Sequence, residues 1–263
     1  MFQAHFESRK IYTNNSIYTV SFNFNIMRNY FPYTIFPLGD TALTVDFGNC
    51  IDQDISAHIM GVFKYMQANP VQGFIECVPA YSSLTIFYNP AILKKEIRSR
   101  ETISDIAKEK LEEILEKKSC TLTDQPRTVK MPVCYDEAVA PDLKTILREK
   151  KITKQELISL HSSPAYRVYM LGFLPGFAYM GEINEKIAMP RKATPQKVQA
   201  GSVGIAGNQT GIYPINSPGG WHIIGRTPVR LYEMKDSDNF STFFQPGDIV
   251  QFYSISRDEF ENY

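Results

Sequence analysis

The sequence predicts two domains, a small α+β domain of the ferredoxin-like type followed by a mostly-β domain that forms a closed barrel. In the first half, strand-like and helix-like segments alternate, which favours an α+β sandwich. In the second half, short strand-like segments are separated by Gly and Pro with little helix, which favours a barrel. A polar, aperiodic segment at 119–127 (SCTLTDQPR) lies between the two patterns. We therefore predict domains at residues 31–122 and 123–263, preceded by an N-terminal extension at 1–30.

The elements of the first domain follow from the spacing of apolar residues. Residues 41–47 (TALTVDF) alternate as in a half-buried strand, and residues 52–68 carry an apolar stripe at helical spacing. Two strand-like segments, GFIECVP and SSLTIFY, come next. Residues 102–118 form a second amphipathic pattern, with Lys and Glu on the polar face. These alternating strands and helices support the α+β prediction.

The second domain begins with a strand-like segment, TVKMPVCY, and two short helices. Pro141 suits the first turn of one helix, and Thr153 with Glu156 forms a capping box for the other. Strand-like segments then follow: YRVYMLGF, SVGIAG, GIYPI, WHIIG, PVRLY and DIVQFY. In the extension, two interpretations remain open: a first strand at 16–26, or a translation start at Met27.

Composition and charge exclude several classes of function. Lys plus Arg and Asp plus Glu both number 28, so no global field favours nucleic acid or anionic lipid. No segment approaches the ~20 apolar residues of a membrane span, and no export signal is evident, so we expect a cytoplasmic protein. The four cysteines show no C-x-x-C pair and only four histidines accompany them. We therefore expect free thiols and no metal site.

The stretch at 200–227, AGSVGIAGNQTGIYPINSPGGWHIIGRT, holds seven of the chain's 15 glycines and its only tryptophan. It contains neither a phosphate-binding G-x-x-x-x-G-K-[ST] loop nor a G-x-G-x-x-G motif, and no G-x-S-x-G elbow occurs. The sequence therefore does not predict an autonomous ATPase or a serine hydrolase. Glycines, which leave the backbone uncovered, stand here beside aromatic and hydrogen-bonding side chains. This combination indicates a small-ligand pocket or a tight protein interface. The alternative is that these glycines only shape barrel corners.

Three long segments resemble the KipI / allophanate hydrolase subunit 1 family. They are HSSPAYRVYMLGFLPGFAYMGEI, MPRKATPQKVQAGSVGIAGNQTGIYPINSPGGWHIIGRTP and the closing FQPGDIVQFY. The resemblance runs from about residue 33 to about residue 253, and it includes PLGDTALTVDFG and MPVCY. It implies that the second domain is a cyclophilin-like barrel. The family's best-understood members, which this sequence is most like, are the B subunits of the prokaryotic ATP-dependent 5-oxoprolinase.

The resemblance implies a role within a cytoplasmic complex. With the KipA-like C subunit, the B subunit is thought to activate 5-oxo-L-proline by phosphorylation, and the A subunit then completes ring opening to L-glutamate. ATP and magnesium would act at the level of the complex, because this chain offers no convincing carboxylate pair for the metal. We expect no nucleic acid or membrane partner. The alternatives are a KipI-type inhibitor of a histidine kinase, a subunit of a urea- or allophanate-processing enzyme, and an independent prolyl isomerase.

The candidate site residues lie in the segments that carry the resemblance. For catalysis we name His161, Arg167 and Arg226, with two alternatives: the histidine caps a helix dipole, and the arginines bind turn carbonyls. Gly219 and Gly220 would let the backbone approach a ligand, with Gln209 and Arg226 as hydrogen-bond donors. The full set of substrate-binding or partner-facing candidates is Phe173, Pro175, Gly176, Phe177, Arg191, Gln209, Tyr213, Ser217, Gly219, Gly220 and Trp221.

Overall fold

The computed structural model describes residues 8–13, 16–21, 31–97, 101–116, 126–236 and 239–263. The predicted boundary between residues 122 and 123 lies outside the described residues. In the N-terminal extension, strands β1 (Ser8–Thr13) and β2 (Ser16–Ser21) pair as an antiparallel hairpin. The predicted strand at 16–26 overlaps β2, and its remainder, 22–26, also lies outside the described residues.

The first domain is a four-stranded antiparallel sheet with helices inserted between and after its strands. Its elements are β3 (Thr34–Pro37), β4 (Ala42–Asp46), α1 (Gln53–Ala68), β5 (Phe74–Pro79), β6 (Ser83–Tyr88), α2 (Pro90–Leu93), a 3-10 helix (Lys94–Glu96) and α3 (Ile103–Leu115). The strand order is β3-β4-β6-β5. In a ferredoxin-like domain the chain runs βαββαβ. Here two strands, β3 and β4, precede the first helix, and helices rather than a strand end the domain. The predicted ferredoxin-like chain order is therefore not found.

Helix α1 begins where Asp52 supplies a side-chain cap. Its carboxylate accepts hydrogen bonds from the backbone N–H groups of Asp54 (2.8 Å) and Ile55 (2.9 Å), which satisfies two donors of the first turn. The apolar stripe of α1 then packs against the sheet and α3. The buried core of this domain includes Val45, Phe47, Ile55, Ile59, Val62, Met66, Leu84, Ile86, Leu111, Ile114 and Leu115.

The second domain contains a closed seven-stranded barrel, as the sequence predicts. Its strands are β7 (Thr128–Cys134), β8 (Ala165–Leu171), β9 (Ala178–Gly181), β11 (Ser202–Ala206), β12 (Gln209–Ile212), β14 (His222–Arg226) and β17 (Ile249–Ile255). They close in the order β11-β12-β9-β8-β17-β7-β14, with β14 returning to β11. Only the β7–β17 pair is parallel, and it is in register over all seven residues of both strands. A more specific cyclophilin-like assignment stays a prediction.

An ion pair fixes the start of the barrel where the parallel pair begins. Arg127 donates from Nε to Asp248 Oδ1 (3.0 Å) and from Nη2 to Asp248 Oδ2. Asp248 is buried, and its Oδ2 also accepts from the Gln245 backbone N–H (2.8 Å). A forked guanidinium–carboxylate pair of this kind constrains both position and orientation. It therefore joins the first and last strands at the point where their register is set.

Further elements surround the barrel. They are α4 (Leu143–Lys150), α5 (Lys154–Ser162), a 3-10 helix (Glu185–Ile187), β10 (Gln196–Val198) paired with β13 (Ser217–Gly219), β15 (Tyr232–Asp236) paired with β16 (Asn239–Thr242), and α6 (Arg257–Glu261). Thr153 and Glu156 form the predicted capping box of α5. Within the described ranges, no helix is both long enough and apolar enough to cross a bilayer.

The two domains have separate hydrophobic cores. The main barrel core contains buried residues from Val129 to Phe252, whereas the buried residues of the first domain run from Leu43 to Leu115. The two domains meet at stacked rings of Tyr81 and Tyr169, whose centroids are 4.8 Å apart. Because each core draws on one side of the predicted boundary only, we expect the barrel to fold alone.

We predict that a chain of residues 126–263 folds cooperatively without the first domain, since it keeps Arg127 and the entire barrel core. Circular dichroism should show a single thermal unfolding transition, with the full-length chain as the control. Aggregation, or loss of a cooperative transition, would show that the barrel depends on the first domain.

Candidate functional site

The structure gathers most of the predicted binding residues on the outer face of the barrel. Side chains alternate across a strand: Ala178 and Met180 belong to the barrel core, while Phe177 and Tyr179 belong to an outer cluster. We call this outer group the aromatic cluster; its rings are Phe173, Phe177, Tyr179, Tyr213 and Trp221. Phe177 lies at its centre, with centroid distances of 5.1 Å to Tyr213, 5.4 Å to Trp221 and 4.7 Å to Tyr179.

Phe173 presents its ring to the surface from a tight turn between β8 and β9. It has φ +70° and is 60% exposed. A positive φ is rare for a bulky residue and costs conformational energy. The turn is held by backbone hydrogen bonds from Leu174 to Gly172 (2.9 Å) and from Phe177 to Leu174 (3.0 Å). The apolar ring of Phe173 is therefore exposed to solvent from a backbone conformation that is energetically unfavourable.

Two other candidates in this turn have distinct surroundings. Pro175 is exposed beside Phe173. Gly176 has φ +81°, and a Cβ there would lie 3.2 Å from Thr242 Cγ2. Glycine is thus required at residue 176 by the backbone and by the neighbouring hairpin of β15 and β16.

Gly219 and Gly220 differ in what surrounds them. A Cβ on Gly219 would lie 2.7 Å from ring carbons of Tyr213, which is closer than such atoms approach. A Cβ on Gly220 would lie 3.6 Å from the Lys192 carbonyl oxygen and 3.7 Å from Arg191 Nε, which is ordinary contact. Gly219 therefore permits packing inside the aromatic cluster, and its approach to a ligand stays a prediction.

The remaining candidates on the outer face are spread over a wider area. Arg191 is exposed beside Gly220, whereas Ser217 is buried and its Oγ has no hydrogen-bond partner among the described residues. Gln209 lies opposite Gly181, at the other end of β12 from Tyr213. Gln209, which was expected to act as a donor beside Gly219 and Gly220, therefore lies at the far end of β12 from the ring that contacts Gly219.

Arg226 binds a turn of its own chain. Its Nε donates to the Ala200 carbonyl oxygen (2.8 Å) and its Nη1 donates to Gln199 Oε1 (2.7 Å). Its guanidinium carbon also lies 5.9 Å from the ring centroid of Phe260. This is the alternative in which the arginine binds turn carbonyls, and it leaves the guanidinium engaged within the molecule.

His161 lies fully buried in the barrel interior, in the last turn of α5. Its Nε2 is 2.9 Å from Thr210 Oγ1, which itself donates to the Gly204 carbonyl oxygen (3.1 Å). Thr210 Oγ1 therefore accepts from Nε2–H, and Nδ1 accepts from Tyr135 Oη (2.7 Å). This tautomer is inferred from the hydrogen-bond network.

Burial lowers the pKa of His161 to about 3, so the ring is neutral at physiological pH. Both ring nitrogens already have partners, and the ring stacks on Phe252 with centroids 4.6 Å apart. The expected ligand-facing proton carrier needs access that this position does not provide. The contacts assign His161 to the internal structure of the barrel.

Arg167 is the one catalytic candidate whose side chain has no hydrogen bond or ion pair with any described residue. It lies on β8 between Tyr166 and Val168, which both face the core, so its side chain is on the outer face. The residue is half-buried, and its Nε is fully buried. Arg167 therefore keeps the donors that ligand binding needs.

Sequence reasoning did not include Tyr81 and Tyr169 among the site residues. Tyr81 lies in the turn between β5 and β6 of the first domain, and Tyr169 lies on β8 of the barrel. Burial raises the pKa of both phenols. A lone tyrosine in a hairpin turn carries no local signal of this contact, because its partner is 88 positions away.

The described residues contain no group of three or more His, Cys, Asp or Glu side chains that could hold a metal ion. Asp136, Asp142 and Asp248 are each engaged elsewhere: Asp136 accepts from a backbone N–H, Asp142 pairs with Lys192, and Asp248 pairs with Arg127.

We predict that His161 makes the protein acid-sensitive. Because its folded-state pKa is below the unfolded value of about 6.5, the unfolded chain binds the extra proton between pH 6.5 and about 3, and stability falls as pH falls through that range. Lowering the pH from 7 to 5 should cost about 2 kcal/mol from this residue. Urea unfolding should show this pH dependence reduced in His161→Gln. An identical slope in the variant would contradict the assignment.

We also predict that Gly219→Ala and Gly220→Ala have different effects. The first variant should lower the free energy of unfolding by about 1–3 kcal/mol, because its Cβ overlaps Tyr213. The second should stay within about 1 kcal/mol of wild type. Thermal unfolding of the two variants provides the comparison. Equal destabilisation would show that both glycines are needed by the backbone alone.

Comparison with known proteins places the chain in a family. Residues 33–242 match the family described as carboxyltransferase domain, subdomain C and D. The chain is 39% identical over 237 residues to the B subunit of 5-oxoprolinase from Bacillus subtilis (strain 168), covering 88% of this chain and 96% of that one. It is 36% identical over 179 residues to the B subunit of 5-oxoprolinase from Escherichia coli O157:H7, covering 68% and 77%.

Solved structures agree with this placement. The structure of TTHA0988 is 30% identical with a TM-score of 0.68, covering 82% of this chain and 40% of that longer chain. The Kluyveromyces lactis urea carboxylase shares the fold, with a TM-score of 0.68 at 17% identity over 92% of this chain and 23% of the enzyme. The two relatives compared above are both named as B subunits of 5-oxoprolinase. The resemblance predicted from the sequence is thus confirmed, and the chain belongs to the carboxyltransferase subdomain C and D family.

Proposed function

We propose that this chain is the B subunit of an ATP-dependent 5-oxoprolinase that opens 5-oxo-L-proline to L-glutamate together with the C and A subunits. The observation that carries this proposal is the 39% identity to a relative of that name, over 96% of the relative's length. A match over nearly the whole relative includes both domains of this chain, so it supports a role for the whole chain rather than for one module.

The chemistry of lactam opening defines what such a site needs. Amide resonance makes the carbonyl carbon a poor electrophile, so its oxygen must be polarised or phosphorylated before water attacks. Neutral hydrogen-bond donors in a water-poor site stabilise charge that develops on that oxygen. Arginine binds the carboxylate of the substrate through its planar fork. Strand β8 of the barrel holds both kinds of donor, the buried phenol of Tyr169 and the guanidinium of Arg167.

Binding of ATP and magnesium is proposed for the assembled complex. The residues that the structure describes do not form a metal-binding cluster, and the sequence has no phosphate-binding loop. This part of the chain therefore does not fit a nucleotide–metal site, and we assign no step on it to ATP or to magnesium. The partner subunits would supply those groups.

The exposed part of the aromatic cluster provides a surface for a partner protein of the complex. Phe173 projects from a strained turn, with Pro175 exposed in the same turn and Arg191 exposed beside Gly220. Interface centres are enriched in aromatic residues and arginine. The strained display of Phe173 is accounted for if the ring becomes buried against another chain. We therefore assign the partner-facing role to this part of the cluster.

We predict that the isolated chain has negligible 5-oxoprolinase activity, and that activity appears when the C and A subunits are added. Formation of L-glutamate and ADP from 5-oxo-L-proline and ATP measures this. Substantial turnover by the pure chain would contradict its assignment to a multi-protein enzyme. An inactive mixture of all three proteins would favour the KipI-type inhibitor instead.

Phe173→Asn provides a matched test of the partner surface within the same assay. Asparagine tolerates positive φ, so the fold should be retained. Activity of the mixture should fall about tenfold when the proteins are at limiting concentration and recover as the partners are raised. Tyr253→Ser, which alters an exposed ring elsewhere on the barrel, is the control.

A further inference from the structure

Residues 186–232 contain no aspartate and no glutamate, although the chain as a whole is neutral. Glu185 and Glu233 are the carboxylates that flank this stretch in the chain. The stretch supplies Tyr213 and Trp221 to the aromatic cluster. It also holds six basic residues, Lys186, Arg191, Lys192, Lys197, Arg226 and Arg230. The charge that this stretch contributes to the barrel is therefore entirely positive, and it produces a local field without a net charge on the chain.

The basic side chains of this stretch differ in how they are engaged. Lys192 Nζ lies 2.6 Å from Asp142 Oδ2, and both side chains of this ion pair are mostly buried. Arg226 donates to a turn of its own chain. Arg191 is exposed and forms no hydrogen bond or ion pair with any residue that the structure describes. Arg191 therefore keeps both its charge and its donors for a partner.

The backbone that carries Arg191 is held on both sides. The Pro190 carbonyl oxygen accepts a hydrogen bond from His222 Nε2 (3.0 Å), and the Lys192 N–H donates to the Gly220 carbonyl oxygen (2.8 Å). The buried ion pair of Lys192 adds a side-chain anchor at the same point. A backbone that is fixed before binding loses less conformational entropy when a partner docks. The segment at 190–192 therefore presents Arg191 from a preorganised position.

Contacts connect Arg191 with the exposed ring of Phe173. The guanidinium lies beside Gly220, where a Cβ would be 3.7 Å from its Nε and 3.8 Å from its Nη2. The preceding residue, Gly219, packs against Tyr213, and the Tyr213 ring meets Phe173 edge-on with 6.5 Å between centroids. A stable protein interface covers about 800 Å² on each partner. The unpaired cation and the exposed ring therefore fit within the footprint of a single partner.

The combination of an arginine with aromatic rings indicates what kind of partner binds here. Interface centres are enriched in these residue types, and a guanidinium fork matches the two oxygens of a carboxylate. Nucleic acid also carries anionic oxygens, but its binding requires many phosphate contacts from Lys and Arg. This chain has 28 basic and 28 acidic residues, and so has no excess of positive charge for such a polyanion. An acidic protein segment is the better fit.

We propose that Arg191 binds a carboxylate of the C subunit, on a segment of that protein that also packs an apolar side chain against Phe173. The identity of the partner rests on the proposed function, in which the C subunit acts together with this chain. The chemistry of the contact rests on the unpaired guanidinium, on the backbone that holds it in place, and on the exposed ring beside it. Arg191 is thus a recognition residue of the interface and takes no part in the reaction itself.

The test measures the affinity of the full-length chain for the purified C subunit by calorimetry, at about 50 mM and about 300 mM NaCl. Arg191→Gln removes the charge, and Arg191→Glu reverses it. At the lower salt concentration we expect Kd to rise about tenfold in the first variant and at least fiftyfold in the second. The rise should be smaller at the higher salt concentration, because salt screens the interaction. The matched controls, Arg148→Gln and Arg148→Glu, change an exposed arginine on α4 and should stay within twofold of wild type.

Thermal unfolding of the single chain separates recognition from a structural role. Arg191 is exposed and has no partner among the described residues, so Arg191→Gln should unfold within about 2 °C of wild type. A clearly lower unfolding temperature would show that Arg191 supports the fold, and the proposal would be wrong.

Double-mutant cycles test whether the contact is made to a carboxylate. Each exposed Asp and Glu of the C subunit is changed in turn to Asn or Gln and measured with wild type and with Arg191→Gln. At least one pair should deviate from additivity by threefold or more in Kd, because the second change removes a contact already lost. Additive effects at every acidic position would overturn the proposal.

The binding outcomes also separate this proposal from the proposed function. If the wild-type chain binds the C subunit and Arg191→Glu binds within twofold of it, the contact is not at Arg191 while the role in 5-oxoprolinase stands. If the wild-type chain does not bind the C subunit, the proposed function fails, and the assignment of a partner to Arg191 fails with it.

Discussion

Closure of the barrel by the parallel pairing of β7 with β17 is the constraint on which the rest of the second domain depends. It joins residues 121 positions apart, from Thr128 with Ile249 to Cys134 with Ile255. The ion pair of Arg127 with the buried carboxylate of Asp248 stands at the start of this ladder and fixes its register. Once the ladder is formed, every strand has an inner and an outer face. A side chain then belongs to the core or to the surface according to its register.

This division separates the three catalytic candidates by their hydrogen bonds. Inside the barrel, His161 has a partner for each ring nitrogen, and burial keeps it neutral. Arg226 is satisfied by a turn of its own chain. On the outer face, Arg167 retains a buried donor without a partner in the described structure. We therefore assign structural roles to His161 and Arg226, whose polar groups have partners within the chain. A ligand that accepts a hydrogen bond from Arg167 Nε would satisfy the buried donor that has none.

The glycine-rich stretch contains glycines that the packing requires and one that it does not. Gly219 makes room for Tyr213, and a Cβ on Gly211 would lie 3.0 Å from the Phe177 ring, so these two glycines shape the aromatic cluster. Gly220 has only ordinary contacts, beside exposed Arg191. Close packing of the rings on the outer face in turn supports the strained turn that displays Phe173. Corner glycines thus build the surface on which we place the partner.

The sequence by itself determined the barrel class, the capping of α5 and the family, because these depend on local spacing, turn residues and long contiguous motifs. Four of the five rings of the aromatic cluster, all but Tyr179, are among the residues that the sequence singled out, because they lie in two neighbouring segments. Only the tertiary structure decided that His161 is internal and that β3, the first strand of its domain, lies at the edge of the sheet beside β4. The contact between Tyr81 and Tyr169 likewise arises only when two domains meet. Burial and partner satisfaction are properties of contacts between distant residues, and local sequence pattern does not encode them.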